Sequence, residues 1–444
     1  MSIFKAYDVR GVYPSELDED IAYKIGRSFV TFLKIPKVCV SQDMRESSNS
    51  LKKAVVRGIT DQGADVIEVE GLCSTPRNYF ACYFLKVPGS IMVTASHNPG
   101  RYNGFKFTRE NAIPISGDTG IKDIEKMVLA NNFSEPARKG RVIKKRIVNE
   151  YKKHILSFIN PDKVKPFKVV IDAGNGMGGC DMDLILDMLP LKVTKMYFEP
   201  DGRFPNHEAN PLKEENIAEL KKRVVAEKAD FGIALDGDAD RVFFIDDEGS
   251  TIPADIITAL LSIEMLARYP KQAILYDLRS SWITKEVIEE NQGRALMSRV
   301  GHAFIKEQMR KEDAIFAGEL AGHYYFKDNF FTDSGIIAAL RVIELVSNRN
   351  EKLSEIVRPL KKYYASGEIN FKVKDTCAKM KELEKEFKNG RISHLDGIRV
   401  DFPDWWFNVR ASNTEPLLRL NLEAKTKKLM EERTDQISQI IKKQ

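Results

Sequence analysis

Short apolar runs alternate along the chain with longer segments that have helical periodicity. Each apolar run is followed by a turn-rich segment, which is typical of a buried strand. These runs cover residues 38–41, 64–69, 91–94, 168–171, 231–235, 273–276 and 315–317. The helix-like segments between them include residues 20–33, 214–228, 255–268 and 334–346. The alternation predicts α/β domains with largely parallel sheets.

Three of the predicted strands run directly into a polar loop. The three stretches read SIMVTASHNP, FGIALDGDADR and AIFAGELAGH. Ligands of open α/β sheets bind beyond the carboxyl ends of the strands, so we expect three related domains that face one cleft. From about Ser366 the pattern changes to strand, helix, strand and strand, which predicts a smaller α+β domain. Breaks near Ile147, Ser250 and Ser366 give predicted domains over residues 1–148, 149–250, 251–364 and 365–444.

Composition narrows the class of protein. Of the 444 residues, 43% are hydrophobic and 30% are charged, and the formal net charge is only +5, which fits a globular protein. The densest basic stretch, residues 139–153, is interpreted as a solvated face rather than a nucleic-acid site. The N-terminal MSIFKAYDVRG is too polar for a signal peptide, and no apolar stretch reaches the roughly 18 residues of a membrane span. We therefore expect a cytoplasmic protein without nucleic-acid or membrane partners.

The five cysteines are scattered and show no C-x-x-C spacing. An odd, dispersed set argues against a disulfide framework and against a structural zinc site.

Residues 236–241 read DGDADR and give the strongest local signal. Asp236, Asp238 and Asp240 stand at every second position with small residues between them, so their carboxylates can converge on one hard cation. Oxygen ligands favour Mg²⁺, which leaves room for a phosphate oxygen, and Arg241 stands ready to bind that phosphate. A calcium loop does not fit, because Arg241 occupies the sixth position, where such a loop has Gly. An acidic solvated turn is the alternative.

Residues 94–99 read TASHNP and end a predicted strand, which places Ser96 on a rigid scaffold at a sheet edge. The stretch lacks G-x-S-x-G, so the strained elbow of a hydrolase is not indicated. In an extended backbone His97 points away from Ser96 and is a poor base for it. A phosphate acceptor needs a metal and nearby cations, and Lys106 in NGFK and Arg10 in YDVRG supply the cations. Taken alone, Ser96 is also an ordinary turn serine.

Two further loops carry candidate binding residues. GELAGH pairs Glu319 with His323, and a carboxylate is suited to accepting hydrogen bonds from sugar hydroxyls. VGH, which ends at His302, is a similar but weaker case. RASNTEP, residues 410–416, gathers donors that can surround a phosphate dianion. The alternatives are a salt-bridged surface turn for GELAGH and a plain polar turn for RASNTEP.

Residues 174–179 read GNGMGG and satisfy the dinucleotide-binding pattern G-x-G-x-x-G. The motif follows a predicted strand, precedes a helix-like run and has Glu199 about twenty residues later, as such a site would. Glycines also serve tight strand-to-helix turns, and a nicotinamide-dependent oxidoreductase would not need DGDADR or RASNTEP. That function is kept as an alternative.

The motifs FKAYDVRG, TASHNP, NGFK, DGDADR, VGH, GELAGH and RASNTEP occur in this order across the chain. Together they resemble the α-D-phosphohexomutase family, most closely its phosphomannomutase/phosphoglucomutase branch. The resemblance implies three similar mixed-sheet α/β domains plus a smaller C-terminal α+β domain around a central cleft. It implies a phosphohexomutase that interconverts hexose 6-phosphate and hexose 1-phosphate, with mannose, glucose or both as the sugar.

The resemblance also implies roles for individual residues. Ser96 is the expected phosphoserine, and Asp236, Asp238 and Asp240 are expected to hold Mg²⁺ together with it. A hexose 1,6-bisphosphate is the expected intermediate and activator. The remaining catalytic residues implied are Arg10, Lys106, Arg241, His302 and His323. The substrate-binding residues implied are Tyr7, Arg279, Glu319, Ala321, Arg410, Ser412, Asn413 and Thr414.

Two positions depart from the family pattern and bear on the choice of sugar. Ala321 stands where relatives commonly have Ser, and Arg279 stands where they usually have Lys. Leu320 replaces the Gln expected of a phosphoglucosamine mutase, so that branch is only an alternative. The sequence leaves both the preferred sugar and the choice between monomer and homo-oligomer open.

Overall fold

The computed structural model describes residues 3–411 and 417–443. The chain forms two compact units, the first over Met1–Pro253 and Ala321–Ser354, the second over Ala254–Leu320 and Glu355–Gln444. The polypeptide therefore leaves the first unit, returns to it and leaves it again. Among the described residues, no helix is both long enough and apolar enough to cross a bilayer.

The first unit begins with a six-stranded sheet in the order β1-β5-β4-β2-β3-β6. Its strands are β1 (Val9–Val12), β2 (Lys37–Gln42), β3 (Asp65–Val69), β4 (Gly89–Val93), β5 (Tyr102–Arg109) and β6 (Val142–Lys145). Strands β2, β3, β4 and β6 pair in parallel, whereas β5 pairs antiparallel with both β1 and β4. The helices of this part of the chain are α1 (Glu19–Leu33), α2 (Ser48–Asp61), α3 (Thr75–Phe84), α4 (Lys122–Ala130) and α5 (Val148–Leu156).

Local sequence explains where these helices begin and end. The side chain of Asp18 accepts a hydrogen bond from the Ile21 amide and caps the start of α1. Lys34, in the left-handed conformation, follows the last residue of α1 and caps its end. Ser74 caps α3 in the same way through the Arg77 amide. Apolar faces of α1 and α2 then pack on the buried strands, and Phe29, Val38 and Ile91 belong to one core.

A five-stranded sheet follows in the first unit, in the order β11-β10-β9-β7-β8. Its strands are β7 (Lys168–Asp172), β8 (Lys192–Met196), β9 (Phe231–Leu235), β10 (Val242–Ile245) and β11 (Thr251–Ile252), and its helices are α6 (Gly178–Asp183) and α7 (Glu214–Glu227). Strand β7 is parallel to β8 and β9, whereas β10 returns antiparallel to β9. The sharp reversal between β9 and β10 therefore forms the loop that carries DGDADR.

The chain then enters the second unit with α8 (Ala254–Arg268), β12 (Ala273–Asp277), α9 (Trp282–Glu290), β13 (Arg294–Ser298), α10 (His302–Glu312) and β14 (Phe316–Gly318). Strand β12 is parallel to both β13 and β14. On its return to the first unit the chain forms the antiparallel pair β15 (Tyr324–Phe326) and β16 (Thr332–Asp333), and then α11 (Gly335–Ser347). The short helix α12 (Leu353–Val357) follows.

The C-terminal part of the second unit is built on an antiparallel sheet in the order β17-β22-β21-β20-β19, with β18 also paired to β22. Its elements are β17 (Tyr364–Ala365), β18 (Ile369–Lys372), α13 (Thr376–Glu386), β19 (Arg391–Ser393), β20 (Ile398–Asp401), β21 (Trp405–Ala411), β22 (Leu417–Ala424) and α14 (Lys427–Lys442). One face of the sheet packs with both helices around Phe407, Leu420 and Ile437.

The predicted fold class is confirmed: three α/β domains with mixed sheets precede a smaller α+β domain. The strands and helices expected from the sequence are all present, and their ends lie within two residues of the expected ones.

Candidate active site

The serine loop lies directly after β4. Ser96 is 1% exposed and has a φ of 52°, a left-handed conformation that is uncommon for a residue other than glycine. Its hydroxyl oxygen Oγ is 3.2 Å from Asp236 Oδ2 and also 3.2 Å from His97 Nδ1. The expectation that His97 points away from Ser96 is therefore wrong, because that expectation assumed an extended backbone at Ser96.

The aspartate loop between β9 and β10 lies against the serine loop. Asp236, Asp238 and Asp240 are each at most 1% exposed, and one carboxylate oxygen of each lies within 4.8 Å of the other two. The Oδ1 atoms of Asp238 and Asp240 are buried and accept no hydrogen bond within the described part of the chain. Buried carboxylate oxygens without donors are costly, so the cluster suits a small divalent cation with oxygen ligands.

Lys106 is a cation that the structure places against this cluster. It lies on β5, and its Nζ is 3.0 Å from Asp238 Oδ2 and also bonds to Asp240. Burial opposes the charged form of Lys106, but Asp238 and Asp240 outweigh it and raise the pKa of the ammonium well above its usual value. The structure thus brings together Lys106 and three carboxylates predicted from motifs that are more than a hundred residues apart.

The carboxylates themselves respond differently to this environment. Burial, and then the negative charges of Asp240 and Asp238, raises the pKa of Asp236 well above its usual value. Burial also disfavours the charged form of Asp240, but Lys106 overcomes it and lowers the pKa of that carboxyl. Asp236, next to the Ser96 hydroxyl, therefore holds a proton more readily than Asp240 does.

Arg10 approaches the same loops from β1. Its guanidinium contacts Asp8 Oδ2 at 2.7 Å and donates to Asn98 Oδ1 at 2.6 Å, so it is tied to the serine loop. Burial disfavours its charge, yet Asp8, together with Asp238 and Asp240, more than offsets burial and the pKa of Arg10 is raised. Tyr7 is partly buried in the turn before β1.

Arg241 and His323 form a polar chain beside the aspartate loop. Arg241 Nε donates to His323 Nε2 at 2.8 Å, and His323 Nδ1 lies 2.8 Å from Asp333 Oδ2. Because Nε2 accepts from Arg241, a proton carried by the ring lies on Nδ1, on the side of Asp333. Asp333, at the end of β16, is a site residue that the sequence motifs did not indicate. Its signal there was weak, a single aspartate just before the serine that caps α11.

The second unit holds another set of predicted binding residues. Arg279 follows β12 and bonds to Asp277 through Nε at 3.1 Å and Nη2 at 2.7 Å. Asp277 also accepts from the Leu320 amide at 2.8 Å, which fixes the start of the GELAGH loop. Glu319 accepts from the Gly301 amide at 3.2 Å, so GELAGH and VGH are joined directly. His302 is the first residue of α10.

Arginines of the second unit converge on Glu368, another residue that the motifs did not reveal. Its carboxylate lies 3.2 Å from Arg410 Nη2, 3.4 Å from Arg419 Nη1 and 3.6 Å from Arg279 Nη1. Convergent guanidinium groups are suited to binding a phosphate. The predicted residues Ser412, Asn413 and Thr414 lie outside the described residues, whereas Ala321 is described and partly buried.

Comparison with known proteins decides the family. Models of the phosphoglucomutase/phosphomannomutase family match as α/β/α domain I over residues 1–135, domain II over 149–249, domain III over 253–363 and the C-terminal domain over 368–440. A phosphomannomutase of Escherichia coli is 42% identical, and the alignment covers 100% of this chain and 99% of the relative. One from Vibrio cholerae is 43% identical with the same coverage. The chain belongs to the phosphoglucomutase/phosphomannomutase family.

Solved structures agree with this family assignment. A phosphoglucomutase/phosphomannomutase family protein from Burkholderia thailandensis has a TM-score of 0.91 and 31% identity, covering 99% of this chain and 97% of the other. Parafusin, a phosphoglucomutase from Paramecium, has a TM-score of 0.81 at 17% identity, covering 99% of this chain and 96% of the other, and shows the shared fold. As a member of this family, the chain is a hexose phosphate mutase, an intramolecular phosphotransferase.

The GNGMGG motif supports the aspartate loop of the mutase. The Met177 amide donates to the Gly237 carbonyl at 2.9 Å, and a Cβ added at Gly176 would lie 2.7 Å from that same oxygen. The glycine turn therefore packs against the backbone of DGDADR, which gives the glycines a structural reason other than a dinucleotide.

Thr75 is a further contact of the aspartate loop that the sequence did not reveal. Its hydroxyl donates to Asp238 Oδ2 at 2.5 Å, and its amide donates to the Asp238 carbonyl at 3.1 Å. The signal was only the STP at the start of a helix, which by itself indicates capping.

Proposed function

We propose that this mutase interconverts the 1- and 6-phosphates of mannose and of glucose through a phosphorylated Ser96 and a hexose 1,6-bisphosphate. The observation that carries the proposal is the position of the Ser96 hydroxyl, 3.2 Å from Asp236 at the edge of the buried aspartate cluster. The names of the similar bacterial phosphomannomutases support mannose as a substrate, and the description of the matching family supports both sugars.

Residues of the first unit would hold a magnesium ion. The proposed ligands are Asp236, Asp238 and Asp240, joined by the oxygen of Ser96 or of its phosphate. Their buried oxygens lie close together and two of them have no donor within the described residues, so the set fits the ion. When bound, Mg²⁺ offsets negative charge on the phosphoryl oxygens and on the leaving oxygen.

The transfer itself depends on the side chains around Ser96. The bond between Ser96 Oγ and phosphorus breaks as a bond forms between phosphorus and the oxygen of the free sugar hydroxyl. One proton passes from that hydroxyl to Ser96 Oγ, and Lys106 is the proposed carrier because it is bonded to the same carboxylate cluster. Arg10 and Arg241 bind oxygens of the phosphoryl group, which spreads the charge of a loose transition state.

The hexose bisphosphate then turns and returns its other phosphate to Ser96. We propose that Glu319 accepts hydrogen bonds from sugar hydroxyls and that Arg279 and Arg410 bind the phosphate that is not being transferred. Tyr7, Ala321, His302 and His323 complete the proposed site, with Ser412, Asn413 and Thr414 assigned from the family motif alone. The proposed functional domains cover residues 1–148, 149–250, 251–364 and 365–444.

Side-by-side turnover of sugar phosphates tests the proposal. Mannose 1-phosphate and glucose 1-phosphate should both be converted in coupled assays, and glucosamine 1-phosphate should be converted poorly because Leu320 stands where that branch has Gln. Ser96→Ala should abolish turnover and remove the phosphorylated species from intact-mass spectra. Ser134→Ala, in an exposed segment, is the matched control and should keep both. Full activity of Ser96→Ala would refute the phosphoserine mechanism.

A further inference from the structure

Arg45 is a buried arginine that the proposed mechanism does not use. It lies between β2 and α2 and is only 2% exposed. Its guanidinium donates to three backbone carbonyls of the serine loop, those of Ser96 at 2.8 Å, Asn98 at 2.6 Å and Pro99 at 2.9 Å, and to that of Tyr102, the first residue of β5, at 2.9 Å. The Arg45 side chain thus forms hydrogen bonds along the whole backbone from Ser96, which carries the reactive hydroxyl, to Tyr102.

These bonds matter because the loop joins β4 to β5 without strand pairing of its own. Carbonyls that are buried and outside a sheet need another donor, and a planar guanidinium offers several in a fixed arrangement. Ser96 itself has a φ of 52°, which persists only where surrounding contacts define it. The hydrogen bond from Arg45 to the Ser96 carbonyl is one such contact.

The guanidinium is in turn fixed by its own neighbours. Asp43 Oδ2 lies 3.3 Å from Nε, and Asp43 Oδ1 accepts from the Arg45 amide at 3.0 Å. The ring of Phe204, from the loop after β8, lies 5.1 Å from the guanidinium carbon. A Cβ on Gly202 would lie 2.5 Å from Arg45 Cα, so the same loop packs closely on this residue.

We propose that Arg45 is a positioning residue for phosphoryl transfer: it holds the backbone of residues 96–102 so that Ser96 Oγ keeps its place at the aspartate cluster. The inference rests on the proposed role of Ser96. A displacement of about 1 Å at a reacting atom costs about 10²-fold in rate. Loss of this support therefore lowers the rate of transfer much more than it weakens the binding of sugar phosphate.

Arg45→Lys tests the inference, because lysine keeps the charge but cannot span the carbonyls. We expect kcat to fall by about 10²-fold while KM for glucose 1-phosphate changes by less than about threefold. Hydrogen exchange measured by mass spectrometry should be faster for the amides of residues 94–104 and unchanged in α7. A kcat within about twofold of the wild-type value, or unchanged exchange in the loop, would overturn the inference.

Arg27→Lys is the matched control. Arg27 is also buried in the first domain, where it bonds to Gln62 and to the Ser134 carbonyl and lies 4.8 Å from the Phe133 ring. We expect Arg27→Lys to lower the thermal midpoint but to leave kcat and loop exchange unchanged. An equal loss of kcat in this control would show that Arg45 acts only through global stability.

Asp43→Asn keeps the inference testable if Arg45→Lys does not fold. This change weakens the orientation of the guanidinium without removing it, so we expect a loss of kcat of about threefold to tenfold at unchanged KM, with faster loop exchange. Wild-type kcat and exchange in Asp43→Asn would count against the inference.

Ser96→Ala, assayed in parallel, separates the two proposals. Full activity of Ser96→Ala would refute the proposed role of Ser96, whereas hydrogen exchange in the loop would still test whether Arg45 holds the backbone.

Discussion

At the scale of single residues, Thr75 connects the first domain to a proposed metal ligand of the second. Its hydroxyl hydrogen bond and its amide hydrogen bond both reach Asp238, 163 positions away in sequence. A residue that orients a ligand in this way commonly changes metal affinity without touching the metal. Asp238 also contacts Lys106, so the hydroxyl of Thr75 helps to decide which oxygen is left for the cation.

We predict that Thr75→Val weakens Mg²⁺ binding by about tenfold, because valine keeps the shape of threonine but removes the donor to Asp238. Calorimetric titration of Mg²⁺ into the chelator-treated protein measures the effect. Thr31→Val is the control, since the Thr31 hydroxyl donates to the Arg27 carbonyl within α1 and lies in a different part of the domain. Equal Mg²⁺ affinities for Thr75→Val and the wild type would contradict the prediction.

Glu368 gives a second prediction at this scale. Its carboxylate occupies the donors of Arg279, Arg410 and Arg419, and the first two are proposed to bind substrate phosphate. Carboxylate and phosphate therefore compete for the same guanidinium groups. Glu368→Gln removes the competing charge and should lower KM for glucose 1-phosphate by roughly threefold at low salt, with a smaller effect at high salt.

The control for this prediction is Glu382→Gln, which breaks the ion pair that Glu382 forms with Lys379 on α13. Steady-state kinetics at two ionic strengths provide the measurement. A higher KM in Glu368→Gln would mean that the carboxylate organises the arginines for the phosphate instead of competing with it.

At the scale of elements, the sequence predicted a strand or loop correctly wherever the pattern of apolar and polar residues within a few positions determines it. The run FGIAL is buried at every position, and it forms β9 with the predicted ends. The polar loops after β4 and β9 were also recognisable, because chemistry-bearing residues interrupt apolar runs there. The contacts between loops could not be recognised from the sequence. Nothing in the stretches STP and TDSG shows that Thr75 and Asp333 lie beside the aspartate loop.

The GNGMGG motif also shows that a local sequence pattern does not reveal what a loop contacts. Here the pattern indicated a binding site that the structure does not support. The motif, its preceding strand β7 and its following helix α6 fit a dinucleotide site as a sequence pattern. The structure instead places Gly176 against the backbone of Gly237. Local sequence predicted the turn, whereas the partner of the turn is a loop about sixty residues later that only the folded chain brings close.

We predict that Gly176→Ala destabilises the protein by about 1–3 kcal/mol, because the added methyl must displace the Gly237 carbonyl. The thermal midpoint and the Mg²⁺ affinity should fall together, as the aspartate loop moves. Gly117→Ala is the matched control, since a Cβ there would lie 3.4 Å from its nearest neighbour, the Ala6 carbonyl oxygen. A variant that loses stability but keeps wild-type Mg²⁺ affinity would show that the glycine turn does not position the ligands.

At the scale of the whole molecule, the first unit depends on a segment that returns to it late. Residues 321–354 supply His323 and Asp333 to the site and also pack on α5 through aromatic rings. The His154 ring of α5 lies 5.1 Å from Phe330 and 5.0 Å from Phe80, and its Nε2 is 2.8 Å from Asn329 Oδ1. An imidazole thus joins two parts of the unit that are far apart in sequence.

This histidine makes the stability of the protein sensitive to acid. Burial lowers the pKa of His154, and the bond with Asn329 opposes that shift only in part. Because the unfolded chain then binds a proton more readily than the folded one, the contribution of His154 is fully present above a pH of about 6.5 and is lost as the pH falls below it. Thermal midpoints at about pH 7.5 and about pH 5.5 should therefore differ less in His154→Gln than in the wild type, by roughly 2 °C. His394→Gln, a change at an exposed position, is the control and should show the same difference between the two thermal midpoints as the wild type. If His154→Gln also shows the wild-type difference, protonation of His154 does not cause the loss of stability in acid.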